Sequence, residues 1–209
     1  MNHLRGSEFK KSNFIQISAN WIYSSSPNMK DHRISIKNIQ LIPIRIEDHS
    51  NLFTLMNKIY KDAYSDFWID GGDWYLDLCY NPENLKKELS RERSHYFFVE
   101  YEKETVGILK YDFPFSPREV EIPNAMKLHR LYLDSSVQGN GVAKELMEYL
   151  EEIARKAGID WIWLEAMESK PQAKRFYEKM GFEWVLTYQL EFERLFEEVR
   201  RIQIMKKRV

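Results

Sequence analysis

The residues best suited to chemistry form a glycine turn that joins an apolar strand to a long amphipathic helix. The start of a helix carries about half a positive charge and several unpaired N–H groups, so a strand–Gly–x–Gly–helix junction can hold a phosphate or a diphosphate. We therefore assign the backbone N–H groups of this turn to a phosphate-bearing ligand. The assigned residues are Gln138, Gly139, Asn140, Gly141, Val142 and Ala143.

Spacing excludes two common phosphate-binding motifs. A P-loop requires Gly-x-x-x-x-Gly-Lys-Ser/Thr, a pattern that the turn lacks. A dinucleotide-binding fingerprint requires a third glycine three residues after the second, where Lys144 stands. The turn therefore belongs to another class of phosphate site.

The turn resembles a motif of a known family. The run Gln138–Ala143 is similar to the Gln/Arg-x-x-Gly-x-Gly/Ala signature of the GNAT acyltransferases, whose turn wraps the pyrophosphate of coenzyme A. A second block, Ala173–Phe182, resembles the family's Ala-x-x-Phe-Tyr-Glu-Lys-x-Gly-Phe pattern. The resemblance is closest over Leu128–Phe182 and extends, through the order of strands, over residues 34–207. Within the family, Leu85–Phe182 looks most like the polyamine-acetylating enzymes of bacteria.

This resemblance implies a fold and a co-substrate. The fold is α/β, with a mixed, mostly antiparallel sheet, helices on both faces and a parallel, splayed central strand pair. In the family the pantetheine arm of acetyl-CoA lies in the gap between those two strands. The backbone of Leu131 and Leu133 would then contact the pantetheine and the developing oxyanion. Acetyl-CoA is the implied co-substrate, and no metal is expected.

The implied reaction is the attack of a primary amine on an acetyl thioester. An amine of pKa about 10.4 is mostly protonated at neutral pH, and forming its free base costs about 4 to 5 kcal/mol. A side-chain base, a water relay or an apolar pocket that disfavours the ammonium would each meet this cost.

Two residues are candidates for the proton transfers. The resemblance places Tyr177 where the family has the acid that protonates the leaving thiolate, with a buried structural tyrosine as the alternative. His129 stands in a strand where relatives often have glutamate, and its ordinary pKa of about 6.5 suits a proton acceptor. A structural histidine is the alternative here, and Glu100, Asp112 and Glu165 are further candidates for the base.

The chain departs from the family pattern at two positions. Ser135 stands where the family usually has proline, which we expect to be harmless. Lys170 stands where the family usually has an asparagine whose amide contacts the cofactor. Either Lys170 contacts a phosphate instead, or this contact is lost.

A run of aromatic and acidic residues lies between Tyr60 and Tyr80. One interpretation is that these residues form the walls of a pocket for a cationic amine, through cation–π contacts and ion pairs. The other is an aromatic core with a solvated acidic face. The residues assigned to this possible pocket are Tyr64, Asp66, Phe67, Trp68, Asp70, Asp73, Trp74, Tyr75 and Asp77.

Composition narrows the function classes. The 209 residues carry a formal net charge of −1, with no basic stripe for nucleic acid and no polybasic anchor for lipid. The single cysteine, Cys79, suits a reducing compartment, and no apolar run approaches the ~20 residues that span a bilayer. We expect a cytoplasmic protein with a small-molecule amine as its partner, no nucleic acid and no membrane. A homodimer remains open.

Hydrophobic periodicity predicts alternating strands and helices in one domain, residues 34–209. Residues 1–33 are rich in Ser, Asn and Lys and are expected to be a poorly ordered or loosely docked extension, with Met29 as a candidate natural start. Strands are expected at Ile34–Ile46, Tyr96–Tyr101, Thr105–Phe113, Lys127–Leu133, Trp161–Met167, Phe182–Glu191 and Arg201–Lys206. Helices are expected at Asn51–Phe67, at Asp73–Ser90 in one or two pieces, and at Gly141–Ala157 and Pro171–Met180.

The sequence thus predicts an N-acetyltransferase that acts on a primary amine, with a polyamine or similar small cation as the leading acceptor. Direct attack in a ternary complex is expected, without a covalent enzyme intermediate. Two alternatives remain open at this point: a non-catalytic sensor of acyl-CoA, and an acetyltransferase of protein N-termini or lysines.

Overall fold

The computed structural model describes residues 32–209. The expected N-terminal extension and Met29 lie almost entirely outside the described residues, and the domain boundary at residue 34 stays a prediction. The strands are β1 (Ile34–Ile36), β2 (Ile39–Pro43), β3 (Ser94–Tyr101), β4 (Glu104–Asp112), β5 (Ala125–Leu133), β6 (Trp161–Met167), β7 (Glu183–Gln189) and β8 (Arg201–Arg208). The α-helices are α1 (His49–Tyr64), α2 (Asp73–Tyr80), α3 (Pro82–Leu89), α4 (Val142–Lys156) and α5 (Pro171–Lys179).

These strands form one sheet in the order β1-β2-β3-β4-β5-β6-β8-β7. Neighbouring strands are antiparallel except for β5 and β6, which are parallel. Parallel neighbours need a crossover connection, which α4 supplies between them. The predicted mixed, mostly antiparallel sheet is therefore confirmed.

One expected strand differs from the structure, and the number of helices in one stretch, which the sequence left at one or two, is decided by it. The single strand expected at Ile34–Ile46 is a two-stranded hairpin, because Lys37 turns the chain with a φ of 49°. The helical stretch Asp73–Ser90 is two helices, which separate at Asn81. The Asn81 side chain accepts the N–H of Asn84, and Pro82 occupies the first helical position, as at many helix starts.

Apolar side chains cover both faces of the sheet. Leu146 and Leu150 of α4 are fully buried in a cluster that includes Leu128 of β5 and Leu164 of β6. The opposite face carries a second cluster, in which α1 to α3 pack on the sheet. Successive side chains of a strand point to opposite faces, so Tyr132 belongs to the second cluster while its neighbours on both sides belong to the first.

The parallel pair separates halfway along its length. Pairing runs from Ala125 opposite Trp161 to Leu128 opposite Leu164, and beyond these residues β5 and β6 continue without pairing. β5 remains hydrogen-bonded to β4, and β6 to β8. The predicted splay is therefore present, and it leaves a gap in the middle of the sheet.

A bulge in β5 lies where the gap begins. Lys110 of β4 pairs with Arg130 and Tyr111 pairs with Leu128, so His129 is an extra residue in β5. Bulges of this kind redirect side chains and are frequent beside active sites. The bulge also shifts the alternation of the strand, since Leu128 and Leu131 pack in the same cluster although they are three residues apart.

Gly107 of β4 has no room for a side chain beside β5. A Cβ atom added there would lie 2.2 Å from the Tyr132 carbonyl oxygen and 2.7 Å from Leu133 Cδ2. We predict that Gly107→Ala lowers the free energy of unfolding by about 3 kcal/mol, because β4 and β5 must move apart. Urea denaturation followed by circular dichroism measures this loss.

Gly158→Ala is the matched control. Gly158 has a φ of +66°, and no atom lies within 4 Å of its added Cβ, so only backbone strain of about 1 kcal/mol is expected. Equal losses in the two variants would show that β4 and β5 are not in close contact at Gly107.

Candidate active site

The glycine turn has the geometry of an anion site. Gly139 and Gly141 adopt left-handed φ values of +86° and +82°, and no side chain caps the start of α4. Within residues 32–209, the unpaired backbone N–H groups include those of five residues, as expected where a helix begins. These residues are Gly139, Gly141, Val142, Ala143 and Lys144.

Two of the assigned N–H groups are already donated inside the turn. The N–H of Gln138 donates to Ser135 O at 3.1 Å, and that of Asn140 donates to Val137 O at 3.3 Å. The expectation that these two backbone N–H groups are available to phosphate does not fit this geometry. Lys144 was missed, although its place in the first turn of α4 could have identified it, because four N–H groups at a helix start lack intrahelical partners.

The turn opens into a cavity of about 520 Å³, which we call the turn cavity. The end of α1 and the start of α5 form its other walls, through Ile59, Ala63 and Phe176 among others. Leu131 and Leu133 line it from β5. Of the residues assigned to the turn, Gln138, Gly139, Gly141, Val142 and Ala143 line the cavity, and Asn140 does not.

The backbone of β5 faces the gap at the two leucines. The Tyr132 carbonyl points toward β4, since its oxygen would lie 2.2 Å from a Cβ atom added at Gly107, and Asp134 donates its N–H to Val106 O of β4. Peptide groups alternate in direction along a strand. The N–H and C=O groups of Leu131 and Leu133 therefore point away from β4, into the gap.

A second cavity, of about 350 Å³, lies on the α1 to α3 side of the gap, and we call it the aromatic cavity. It shares Leu131, Ala173 and Tyr177 with the turn cavity, so the two cavities meet at the gap. Its rings come from α1, α2, β5 and the segments beside them. The aromatic lining residues are Tyr60, Tyr64, Phe67, Trp68, Tyr75, Tyr132, Tyr177 and Phe192.

The acids of the Tyr60–Tyr80 run do not line the aromatic cavity. Asp70 accepts the N–H groups of Gly72 and Trp74 and pairs with Arg194 at 2.9 Å. Asp73 pairs with Lys61, and Asp66 and Asp77 are exposed. The aromatic half of the pocket interpretation therefore fits the structure, whereas the acids form a solvated face.

Tyr177 stands where the two cavities meet. Its hydroxyl makes no hydrogen bond to any described residue, so it is free to donate to a ligand. Burial, with a smaller contribution from Tyr64, raises the pKa of Tyr177 above its ordinary value. The phenol is therefore protonated at neutral pH, as a hydrogen-bond donor must be.

His129 lines the aromatic cavity, and its Nε2 lies 3.2 Å from Asp112 Oδ2. Burial lowers the pKa of His129 to about 4, although Asp112 opposes the shift. The imidazole is therefore neutral at neutral pH. Burial alone would raise the pKa of Asp112, but His129 and Lys110 outweigh burial and hold it below its usual range.

The other candidate bases lie in different surroundings. Glu100 pairs with Gln40 and Thr105 at the other side of the sheet and lines neither cavity. Asp112 is buried against Lys110 and His129 and also lines neither cavity. Glu165 does line the aromatic cavity, with Lys127 Nζ at 2.8 Å and Tyr188 OH at 2.7 Å from its oxygens.

Lys170 is held away from the turn. Its Nζ donates to Ala63 O at the end of α1 and lies 4.5 Å from the centre of the Phe67 ring and 4.9 Å from that of Tyr64. A cation at a helix C-terminus is favourable because it faces the negative end of the helix dipole. Of the two expectations for Lys170, the loss of the cofactor contact fits this arrangement.

Two further properties concern the described residues alone. Within residues 32–209, no three His, Cys, Asp or Glu side chains are grouped so that they could hold a metal ion. No helix in the same part of the chain is both long enough and apolar enough to cross a membrane.

Comparison with known structures bears on the fold. An N-acetyltransferase PaiA of Thermoplasma acidophilum, solved with coenzyme A, is similar with a TM-score of 0.63 and 20% identity over 82% of this chain and 99% of that chain. RimL, a ribosomal L7/L12 α-N-protein acetyltransferase solved with coenzyme A, has a TM-score of 0.62 and 14% identity over 85% of this chain and 98% of that chain. A spermidine N-acetyltransferase variant of Vibrio cholerae has a TM-score of 0.57 and 17% identity over 82% of this chain and 94% of that chain. At these identities the likeness shows a shared fold.

Comparison of sequences bears on the family. The model of the acetyltransferase (GNAT) family matches residues 53–182, which include both the glycine turn and the block around Tyr177. An uncharacterized N-acetyltransferase of Lactobacillus delbrueckii subsp. lactis, named for the region 3′ of pepI, is 32% identical over 144 residues, which are 68% of this chain and 83% of that protein. The chain therefore belongs to the GNAT family of acetyl-CoA-dependent N-acetyltransferases.

Proposed function

We propose that this enzyme transfers the acetyl group of acetyl-CoA to a small primary amine by direct attack in a ternary complex. The turn cavity takes the acetyl donor and the aromatic cavity takes the amine. Acetyl-CoA supplies the thioester carbonyl that is attacked and the thiolate that leaves. The observation that carries the proposal is that Leu131 and Tyr177 line both cavities, which brings the two substrates together at the gap.

The turn suits the donor's diphosphate. Its unpaired N–H groups converge at the start of α4, where the helix dipole favours an anion. Leu131 and Leu133 present backbone groups to the gap, where they bind the acyl arm and stabilise negative charge on the reacting carbonyl oxygen. PaiA and RimL, which share the fold, were solved with coenzyme A.

The amine loses its proton mainly because the aromatic cavity surrounds it with rings and with charged groups that are already paired. Burial lowers the pKa of an ammonium ion, and this shift offsets several kcal/mol of the free energy needed to form the free amine. His129 has a pKa of about 4, so it does not hold the proton of a free amine at equilibrium. Its neutral imidazole instead accepts the proton that the attacking nitrogen releases as the new bond forms, and Asp112 Oδ2 lies 3.2 Å from its Nε2.

Tyr177 serves the leaving group. The ordinary pKa of a phenol already exceeds that of a thiol, and burial raises the pKa of Tyr177 further, so the proton stays largely on the phenol. The hydroxyl therefore stabilises the departing sulfur by donating a hydrogen bond, and geometry rather than a favourable pKa difference accounts for its effect.

Turnover and substrate size distinguish two alternative functions from the proposed one. A non-catalytic sensor of acyl-CoA would bind coenzyme A without transferring acetyl to any amine. An acetyltransferase of protein N-termini or lysines would need a groove for a chain, whereas an aromatic cavity of about 350 Å³ has the size of a small-molecule site. A cytoplasmic location stays a prediction from the sequence, which leaves the oligomeric state open.

We predict that Tyr177→Phe lowers kcat by about 100-fold or more, the usual contribution of a positioned proton donor. The affinity for coenzyme A should change less than threefold, because the phenol does not contact the diphosphate. Thiol release from acetyl-CoA measures kcat, and calorimetry measures the affinity. Tyr149→Phe is the matched control: this buried tyrosine lies against Tyr111 and lines neither of the two cavities, and full activity is expected. Unchanged kcat in Tyr177→Phe would remove the phenol from the mechanism.

We predict that His129→Gln lowers kcat/KM by about tenfold or more, and that His49→Gln, which removes a histidine outside both cavities, leaves it unchanged. Since the pKa of His129 is about 4, its accepting form is complete above about pH 5 and is lost only below it. The wild-type plot of log kcat/KM against pH should therefore rise as the amine substrate loses its proton, and it should show no break near pH 6.5. A wild-type break near pH 6.5 that disappears in His129→Gln would contradict a buried, neutral imidazole.

A further inference from the structure

We propose that the acceptor is a monoamine with an aromatic body, an arylalkylamine, and that amines with a second ammonium group are excluded from the aromatic cavity. This inference rests on the proposed function, since it concerns the substrate of the same site. It departs from the sequence-based expectation of a polyamine.

The first observation is the chemistry of the walls. Rings from three parts of the chain surround one space: Tyr75 of α2, Tyr132 of β5 and Phe192 beyond β7. Between the rings the lining holds aliphatic side chains, Leu78, Leu190, Leu195 and Ile202 among them, together with His129, Arg130 and Glu165. A ligand that fills this space contacts ring faces and edges along most of its length, which favours a planar aromatic body over a flexible polar chain.

The rings are fixed by one another before any ligand binds. Tyr60 stacks on Tyr75 with ring centres 4.7 Å apart and meets the edge of Tyr132 at 5.8 Å. Trp68 donates its Nε1–H to the hydroxyl of Tyr60 at 2.9 Å. Phe192 packs against Trp68 and the edge of Tyr75 at 6.0 and 6.5 Å. A preorganised wall of this kind binds a ring without the entropy cost of ordering its own side chains.

The second observation is the balance of charge. Glu165, the one carboxylate that lines the cavity among the described residues, is paired with Lys127 at 2.8 Å. Arg130, which also lines it, is held by Glu88 through two hydrogen bonds of 2.7 and 3.1 Å.

The same balance extends to the group behind His129. Asp112 contacts His129, and it is itself paired with Lys110 and Arg91 at 3.2 and 3.4 Å. The charged groups at and directly behind the wall therefore have partners of opposite sign. A second ammonium group of a diamine or polyamine would be buried here without an unpaired carboxylate, which is strongly unfavourable.

The third observation is size. A cavity of about 350 Å³ lies at the lower end of the range for small-molecule sites, which suits one ring and a short aminoalkyl chain. The ring would lie between the aromatic walls and the amino group would point to Tyr177 and the gap. That orientation presents the nitrogen to the thioester carbonyl, and it places the second amino group of a short diamine among the aromatic walls.

The test is equilibrium binding of amines to the full chain saturated with coenzyme A, which binds without reacting. The probes are 2-phenylethylamine, 2-cyclohexylethylamine, hexylamine, hexane-1,6-diamine and spermidine, measured by calorimetry. We expect hexylamine to bind at least about tenfold more tightly than hexane-1,6-diamine, a pair that differs only in the second charge. We expect 2-phenylethylamine to bind about three- to tenfold more tightly than its saturated analogue, the difference that aromatic contacts supply.

Two variants test the wall itself. Phe192→Ala should lower the affinity for 2-phenylethylamine about tenfold and leave the affinity for methylamine unchanged. Phe196→Ala, the same change at an exposed ring outside the cavity, should leave both affinities unchanged. Leu78→Asp places a carboxylate at an exposed lining position, where folding should tolerate it. It should raise the affinity for hexane-1,6-diamine about tenfold relative to hexylamine.

The outcomes separate this inference from the proposed function. Tighter binding of spermidine or hexane-1,6-diamine than of 2-phenylethylamine, or equal affinity of phenyl and cyclohexyl amines, overturns the inference even if thiol release shows that these amines are acetylated. Absence of thiol release with every amine, together with the expected order of affinities, overturns the proposed reaction and leaves the assignment of the pocket standing.

Discussion

The site depends on the separation of two parallel strands. β5 and β6 pair only as far as Leu128 and Leu164, and each is held on its outer side by another strand. Because those outer ladders remain intact, the backbone groups exposed in the middle of the sheet stay in place without a partner among residues 32–209. The gap thereby provides fixed hydrogen-bonding groups between two cavities, and in the proposed reaction the two substrates reach it from opposite sides.

The glycine turn and the aromatic wall offer different chemical environments at the two ends of this gap. At the turn, left-handed glycines allow the chain to enter α4 without a side-chain cap, so backbone N–H groups stay available to an anion. At the wall, packed rings line the cavity, and the charges beside them are paired. In the proposed reaction, the turn receives an anionic donor and the wall receives an amine that must lose its proton.

The bulge at His129 connects these parts. It shifts the alternation of β5, so that Leu131 and Leu133 face the α4 side and Tyr132 faces the rings. It also brings the imidazole against Asp112, where burial keeps the ring neutral. The histidine, the two leucines and the tyrosine therefore occupy their positions because of one extra residue in a strand.

Much of the fold could be predicted from the sequence, because the relevant signals are local. The glycine spacing, the apolar stripe of α4 and the proline after Asn81 each depend on a few neighbouring residues. The bulge also has a local signal, since the apolar residues Met126, Leu128, Leu131 and Leu133 break strict alternation. A strand prediction that does not follow the alternation residue by residue misses that signal.

What could not be predicted depends on contacts between distant parts of the chain. Gln138 and Asn140 carry the right motif, but their N–H groups are donated within the turn, which only the backbone path reveals. Lys170 reaches the end of α1, more than a hundred residues away. The acids around Asp70 share a segment with the rings of the pocket but face solvent or other partners, and sequence proximity cannot separate the two.

The most direct measurement is a crystal structure of the full chain with coenzyme A. The account predicts diphosphate oxygens within about 3.2 Å of the backbone nitrogens of the turn, at Gly139, Gly141 and the first residues of α4, and the sulfur in the gap between β5 and β6 beside the Tyr177 hydroxyl. A diphosphate bound elsewhere, or a sulfur outside the gap and remote from Tyr177, would contradict it.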